Sequence, residues 1–499
     1  MALAVAVAVA GCGLLPGAAA AAAAAADGAA LIPCRLKGVE HEARCGSVTR
    51  PLDPARPQGP QIQVRYAVLP ALAQRKTADP VFFFAGGPGQ SAMAVAGPLL
   101  QQFARLNNRR DLVFVDQRGT GDSAPLKCPD DAERQPPQPL AELLDPARQL
   151  ERLAACRMAL QRLPHGDLRQ YTTSIAVADV DAVREALGAA QVNAIGFSYG
   201  TRAVLEYQRQ FPQRVRRAVI DGVAPPDMAM PASFSTDNQA ALDALFAACA
   251  KDAGCRARHP ALPAKWQALL ASLPREVRVH HPVTGEPETL RLDRSTLLGL
   301  VRGPLYAPPL AAGLPAALEA AAGGRFEPLV GLAQALGAGG GVASGMHFSV
   351  ICAEDMPRVP AGDAAAAGRD FGSVNVALYR RVCEDWPRGT PPADFYRLRP
   401  APSATLVLSG GADPATPPRH GARVAAALGA KARHVIVAEA GHGVLSLACM
   451  RDAAMRFIGE ASDEAALKVE TGCAASLPRP PVFVPIAPAS AASAAEVSR

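Results

Sequence analysis

The 499 residues contain no C-x-x-C pair, no dense Lys/Arg run and no internal repeat. The first absence argues against a zinc ribbon or a thioredoxin-like redox site. The second, with a formal net charge of only +6, gives nucleic acid no basic surface to bind. The third excludes a solenoid or propeller. Basic residues are also missing from the N-terminus, where the first is Arg35 and the first charged side chain of either sign is Asp27. Residues Ala2 to Ala10 alternate Ala with Leu or Val and lead into Gly11-Cys12-Gly13 and a polyalanine run. This segment, about residues 1–30, is short in strong hydrophobes and ends in small residues, as an export signal does; a transmembrane anchor is the alternative by length. Val9-Ala10-Gly11-Cys12 is also similar to a bacterial lipobox, so two outcomes stand, simple secretion or lipid attachment at Cys12.

Cysteine usage points the same way. Of eleven cysteines, those other than Cys12 fall in neighbouring couples, which predicts Cys34–Cys45, Cys128–Cys156, Cys249–Cys255, Cys352–Cys383 and Cys449–Cys473. An even set in an exported chain reads as a disulfide framework, and the expected location is periplasmic or extracellular. The length calls for more than one simple core.

Gly196-Phe197-Ser198-Tyr199-Gly200 is the most informative run. A short apolar stretch, Val192 to Ile195, precedes it. Ala203, Val204, Tyr207 and Phe211 follow at helical spacing until Pro212. Ser198 therefore falls on a sharp strand-to-helix turn, the G-x-S-x-G nucleophile elbow. Further strands are expected at Gln61 to Leu69, Val81 to Phe84, Asp111 to Asp116, Arg217 to Ile220, Thr405 to Leu408 and His434 to Val437. A helix is expected from an N-cap at Ser174 to Gly188, and another from Pro417 to Leu428. Strands alternating with helices imply an α/β fold, a mostly parallel sheet flanked by helices. From about residue 225 to 400 Ala- and Leu-rich helical stretches dominate, interrupted by a hairpin-like piece from Val277 to Leu292. The expected organisation is a first core part at 31–224, a long helical cap at 225–400, a second core part at 401–475 and a Pro/Ala-rich tail at 476–499.

A nucleophilic serine needs a base, and the base an orienting acid, in the chain order Ser, acid, His. Ser409 to Pro414 follows a strand directly and offers Asp413. Of nine histidines, His347, His420, His434 and His442 lie late enough to consider. His347 precedes Asp413, His420 starts a helix and His434 opens a strand. His442 lies between glycines past the strand ending at Val437, and is the expected base. Glu439 is the alternative acid, but stands too near His442 in sequence to orient it. The oxyanion needs backbone donors: Tyr199, next after the nucleophile, and Gly87, with Gly86 as the alternative. Pro88 has no N–H.

Together, G-G-P-G at Gly86 to Gly89, D-Q-R-G-T-G at Asp116 to Gly121 and G-F-S-Y-G-T at Gly196 to Thr201 resemble the prolyl iminopeptidase and secreted tripeptidyl aminopeptidase group of α/β-hydrolases. Gln210-Phe211-Pro212, Val215 to Gly222 and the surroundings of Asp413 and His442 extend the likeness from about Ile62 to Cys473. Prolyl iminopeptidases usually carry His before G-G-P-G. Here it is Ala85, which moves the resemblance toward the secreted tripeptidyl type. The resemblance implies peptide substrates with a free N-terminus, an α/β-hydrolase fold with a cap, and no metal or cofactor. It also implies an anion for the substrate ammonium. Cys352-Ala353-Glu354-Asp355 is similar to an acidic segment of the secreted members, which nominates Glu354, then Asp355. Asp116 and Arg118 are expected to brace the loop beside the triad. An esterase using the same three residues, and a catalytically silent binding protein on the same fold, are the rival readings.

Overall fold

The computed structural model describes residues 31–129, 137–335, 341–360 and 369–483. The N-terminal segment with Cys12, and the tail from residue 484, lie outside the described residues. Seven strands precede the insertion: β1 (Ile32–Cys34), β2 (Ala43–Pro51), β3 (Gln61–Leu69), β4 (Val81–Phe84), β5 (Leu112–Val115), β6 (Val192–Phe197) and β7 (Val215–Asp221). A separate hairpin, β8 (Arg275–His280) and β9 (Pro287–Leu292), lies within it, and β10 (Thr405–Gly410) and β11 (Ala432–Val437) resume the sheet.

The nine sheet strands run in the order β1-β2-β3-β5-β4-β6-β7-β10-β11. The first three pairings are antiparallel and the rest, from β5 to β11, are parallel. In a parallel stretch all carboxyl ends share one rim, and that rim is where ligands meet the sheet. The central strands are buried along their length: Val81 to Phe84, Leu112 to Val115 and Thr405 to Gly410 are inaccessible. This is the uniform apolar signature of strands covered on both faces. On one face pack Val177, Val180, Ala203, Val204 and Tyr207. On the other lie Leu99, Phe103, Met450, Phe457 and Ile458. Between β7 and β10, helices form a core of their own around Trp266, Leu297, Leu318 and Phe326.

The helix expected from Ser174 begins earlier, at Thr173, after Thr172. Ser174 is not the cap, because its hydroxyl donates instead to Glu206 Oε1 at 2.7 Å, tying this helix to the elbow helix, Tyr199–Gln210. Gly188, at φ 67°, supplies the left-handed residue just past the helix end. The antiparallel edge β1–β2 has no clear sequence alternation. Its burial is mixed, and the Cys34–Cys45 disulfide ties it. The other four bridges also join the expected couples. No described helix is long and apolar enough to cross a membrane.

Candidate active site

β6 ends at Phe197, and Ser198 turns the chain into the elbow helix with φ 54° and ψ −123°. A non-glycine residue in that region is strained, at a cost of about 1–3 kcal/mol, so neighbours must enforce it. A Cβ on Gly196 would lie 2.6 Å from the Gly200 carbonyl, and a Cβ on Gly200 would strike the carbonyl of Phe84 on β4. Strand and helix thus cross too closely for any side chain. The Ser198 amide bonds the Asp221 carbonyl at 2.9 Å, fixing the turn to β7. The Ser198 side chain is partly exposed, with Tyr199 buried behind it.

Asp413 follows the Gly410-Gly411 turn after β10. Its Oδ1 accepts from the amides of Ala415 (2.8 Å) and Thr416 (2.9 Å). Its Oδ2 accepts from Thr416 Oγ1 (2.8 Å) and faces His442 Nδ1 at 2.8 Å. Burial alone would raise this carboxyl, but the His442 charge and hydrogen bond and the two amides hold it below the ordinary carboxylate range. Ionised Asp413 accepts the Nδ1 proton, leaving the lone pair of neutral His442 on Nε2. Burial acts to lower the imidazole, but the charge and hydrogen bond of Asp413 and the charge of Asp221 raise it above the usual histidine value. The ring stays 17 % exposed, against 0 % for the Asp413 side chain.

Asp221, at the end of β7, was not singled out in the sequence. Its carboxylate accepts the amides of Val444 (3.0 Å) and Leu445 (2.8 Å), clamping the loop that carries His442, and burial pushes it up to about 6. Tyr306 closes the other side: its carbonyl accepts the His442 amide at 2.9 Å, and its ring stands edge-on to the imidazole at 5.2 Å.

The imidazole lies against Gly222, next to the residue that bonds the Ser198 amide; a Cβ there would be 3.2 Å from His442 Cε1. Among the described residues no hydrogen bond joins the Ser198 hydroxyl to His442. Such bonds are often long before substrate arrives. The loop Gly86 to Gly89 packs on Ser198, with a Cβ on Gly86 falling 3.3 Å from Ser198 Cβ. Gly87 is exposed, at φ 110°. Tyr199 is the first residue of its helix, so its amide has no intrahelical acceptor. His347 steadies the glycine loop. Its Nδ1 donates to the Pro88 carbonyl at 3.2 Å, so Nε2 accepts from Tyr379 Oη at 2.9 Å. Burial lowers this histidine to about 4, keeping it neutral.

Asp116 and Arg118 do brace the adjoining loop. Asp116 Oδ1 accepts from Ser91 Oγ (2.6 Å) and the Met93 amide (3.1 Å). Arg118 grips Asp179 with two nitrogens, at 2.6 and 2.9 Å, and the Leu52 carbonyl at 2.7 Å.

Glu354 and Asp355 require a correction. Both are completely buried and paired with Arg202 of the elbow helix, at 3.3 Å and 2.9 Å. Glu354 also takes the Thr173 amide (2.6 Å) and hydroxyl (2.8 Å), and Asp355 the Met230 amide (2.9 Å). Burial raises Glu354 to about 7 despite these partners. Neither carboxylate is presented to a substrate ammonium. They anchor the insertion to the elbow helix. An acidic pair in a segment rich in hydrophobes gave no way to separate these roles from sequence. Among the described residues no group of three or more His, Cys, Asp or Glu could hold a metal ion.

The family model described as alpha/beta hydrolase fold matches residues 79–447. The chain belongs to the α/β-hydrolase family. Among its relatives is a Mycobacterium tuberculosis protein named Serine protease Hip1, 29 % identical over 436 residues, which are 79 % of this chain and 81 % of that protein. A Streptomyces lividans protein named Tripeptidyl aminopeptidase is 34 % identical over 196 residues, 37 % of this chain and 36 % of that protein. A Mycobacterium tuberculosis protein named Carboxylesterase B is 28 % identical over 422 residues, 78 % of each chain. This α/β-hydrolase is an enzyme, a serine hydrolase with peptidase relatives.

Three outcomes are expected. Arg202→Gln leaves two buried carboxylates without their cation and lowers unfolding free energy by about 3–5 kcal/mol in a denaturant titration. Since a base must be neutral and His442 is raised, kcat/KM should climb with pH through a midpoint above the ordinary value of about 6.5. Asp221→Asn removes one of the charges that raise His442 and should move that midpoint down, as read from the acid limb of the profile.

Proposed function

We propose that the protein is an exported serine exopeptidase that releases one or a few residues, in the tripeptidyl or prolyl manner, from peptides with a free N-terminus. In this reading Ser198 Oγ attacks the scissile carbonyl while His442 Nε2 takes its proton. The tetrahedral oxyanion is held by the amides of Tyr199 and Gly87. His442 passes the proton to the leaving amine, and Asp413 keeps the Nδ1–H tautomer and balances the imidazolium that forms. Water, activated by the same imidazole, then cleaves the acyl-enzyme and frees Ser198.

The observation that carries this reading is the 2.8 Å His442–Asp413 bond at the rim where Ser198 sits on its strained turn. Peptide substrates are supported by the similarity to the proteins named Serine protease Hip1 and Tripeptidyl aminopeptidase. Export is supported by the five disulfides, since such bridges persist in oxidising compartments. Residues 225–400 are proposed to act as the cap over a core of 31–224 and 401–475, limiting how much peptide can extend beyond the scissile bond.

An esterase reading is favoured by the similarity to the protein named Carboxylesterase B. Acyl chemistry is common to both, so substrates must decide. Free-amine tripeptide anilides, the same peptides N-acetylated, and aryl esters should be compared with purified enzyme. The exopeptidase turns over the free-amine anilides, loses at least about a hundredfold in kcat/KM on acetylation, and loses about 10⁴-fold or more in kcat with Ser198→Ala. High ester turnover with no effect of acetylation would establish the esterase instead.

A further inference from the structure

The insertion carries a guanidinium, bonded to the tyrosine that packs on His442, that has no carboxylate partner among the described residues. Arg302 lies near the end of the helix Arg294–Leu305, one turn before Tyr306. Its Nη2 donates to Tyr306 Oη at 2.9 Å. Its Cζ stands 4.7 Å from the centre of the Phe234 ring and 5.6 Å from that of Tyr306. Nε is buried and has no acceptor, and no described Asp or Glu comes within ion-pair distance, 4.0 Å. Arg202 also has an Nε without an acceptor, so the contrast with the buried arginines lies in the ion pair. Arg118 holds Asp179, and Arg202 holds both Glu354 and Asp355. A guanidinium offers five N–H donors; partly exposed Arg302 gives one to Tyr306, and its buried Nε has no acceptor. The chain has built a cation whose acceptors come from elsewhere.

Its position says where. Tyr306, which it bonds, presses edge-on against the His442 ring. The charge of Arg302 acts against protonation of both His442 and His347, and His347 holds Pro88 of the glycine loop. The cation thus lies one ring away from the imidazole, on its Tyr306 side. The rings of Phe234 and Tyr306 lie against the guanidinium, and such partial cover strengthens an ion pair relative to one in open water.

We infer that Arg302 binds a carboxylate carried by the substrate and makes the enzyme selective for substrates that have one. Arg–carboxylate pairing supplies directed, charge-assisted bonds. Two parts of a peptide could bring the group: the acidic side chain of the residue that donates the scissile carbonyl, or the free C-terminus of a short leaving peptide. The inference rests on the serine hydrolase site proposed above, but not on the substrate being a peptide.

The test uses matched pairs that differ in one negative charge. An aryl hydrogen glutarate against the aryl valerate reads carboxylate recognition without any peptide bond. Free-amine peptide anilides with Glu against Gln at the residue giving the scissile carbonyl read the side-chain source. Short free-amine peptides as acids against their C-terminal amides read the other. Wild type should favour the charged member of at least one pair by about ten- to a hundredfold in kcat/KM, mainly through KM. Arg302→Gln should bring that ratio to about one, and Arg302→Lys should keep only part of it, since a point charge lacks the guanidinium fork. Thermal unfolding midpoints and phosphonate labelling of Ser198 monitor folding. If Arg302→Gln does not fold, the partial loss in Arg302→Lys carries the test. Absence of preference in every wild-type pair overturns the inference. So does a variant that slows both members of a pair alike, which is what a residue that merely props Tyr306 against His442 would do. A charge preference confined to the esters, with no peptide cleaved, would sink the exopeptidase reading while upholding Arg302.

Discussion

The site depends on one close crossing of backbones. β6 and the elbow helix approach until Gly196 and Gly200 can carry no side chain, and β4 lies against the same spot through the Phe84 carbonyl. That contact holds Ser198 at a positive φ and sets its hydroxyl on the sheet rim rather than in the sheet. Parallel order does the rest. The ends of β4, β6, β7, β10 and β11 reach one rim, and each delivers a part. β4 supplies the glycine loop, β6 the serine, β7 the Asp221 clamp, β10 the acid and β11 the histidine loop. Residues more than two hundred positions apart meet because their strands are neighbours, with Gly222 the spacer between the elbow and the imidazole.

Buried charge holds this arrangement in register. Asp221 fixes the histidine loop through two amides, Arg118 ties the loop after β5 to Asp179, and Arg202 pins the insertion to the elbow helix through Glu354 and Asp355. Removing one partner of such a group is far more damaging than its presence is stabilising, because the other is left desolvated and unpaired. The two arginine brackets each pair opposite charges, and Arg302 stands apart as a cation with no described carboxylate in ion-pair reach.

The sequence was legible where local chemistry dictates geometry. The apolar strands, the elbow with its flanking glycines, the carboxylate after a glycine turn and the histidine between glycines all carry local signals, and the structure places Asp413 Oδ2 2.8 Å from His442 Nδ1. Cysteine couples near in sequence proved near in space. What was not legible depends on tertiary partners. Ser174 has an N-cap's residue type, yet Glu206 of another helix claims its hydroxyl. Glu354 and Asp355 read as a ligand-binding acidic pair because nothing in the chain near them announces Arg202, some 150 residues earlier. Tyr306 and Arg302 gave no motif at all, and Asp221 stood only within the Val215 to Gly222 likeness, with no role of its own. Their roles come from facing His442 across the fold. The edge strands β1 and β2, half-exposed and irregular in pattern, lacked the alternation that reveals β3.

The central claim is that Ser198 is made nucleophilic by His442. It is tested most directly by incubating the protein with a fluorophosphonate and locating the adduct by peptide mass spectrometry, in wild type and in His442→Ala. The account predicts a single phosphonyl group on Ser198 in wild type, with labelling slowed by orders of magnitude in the variant. An adduct on another residue, or equal labelling rates with and without the imidazole, would contradict it.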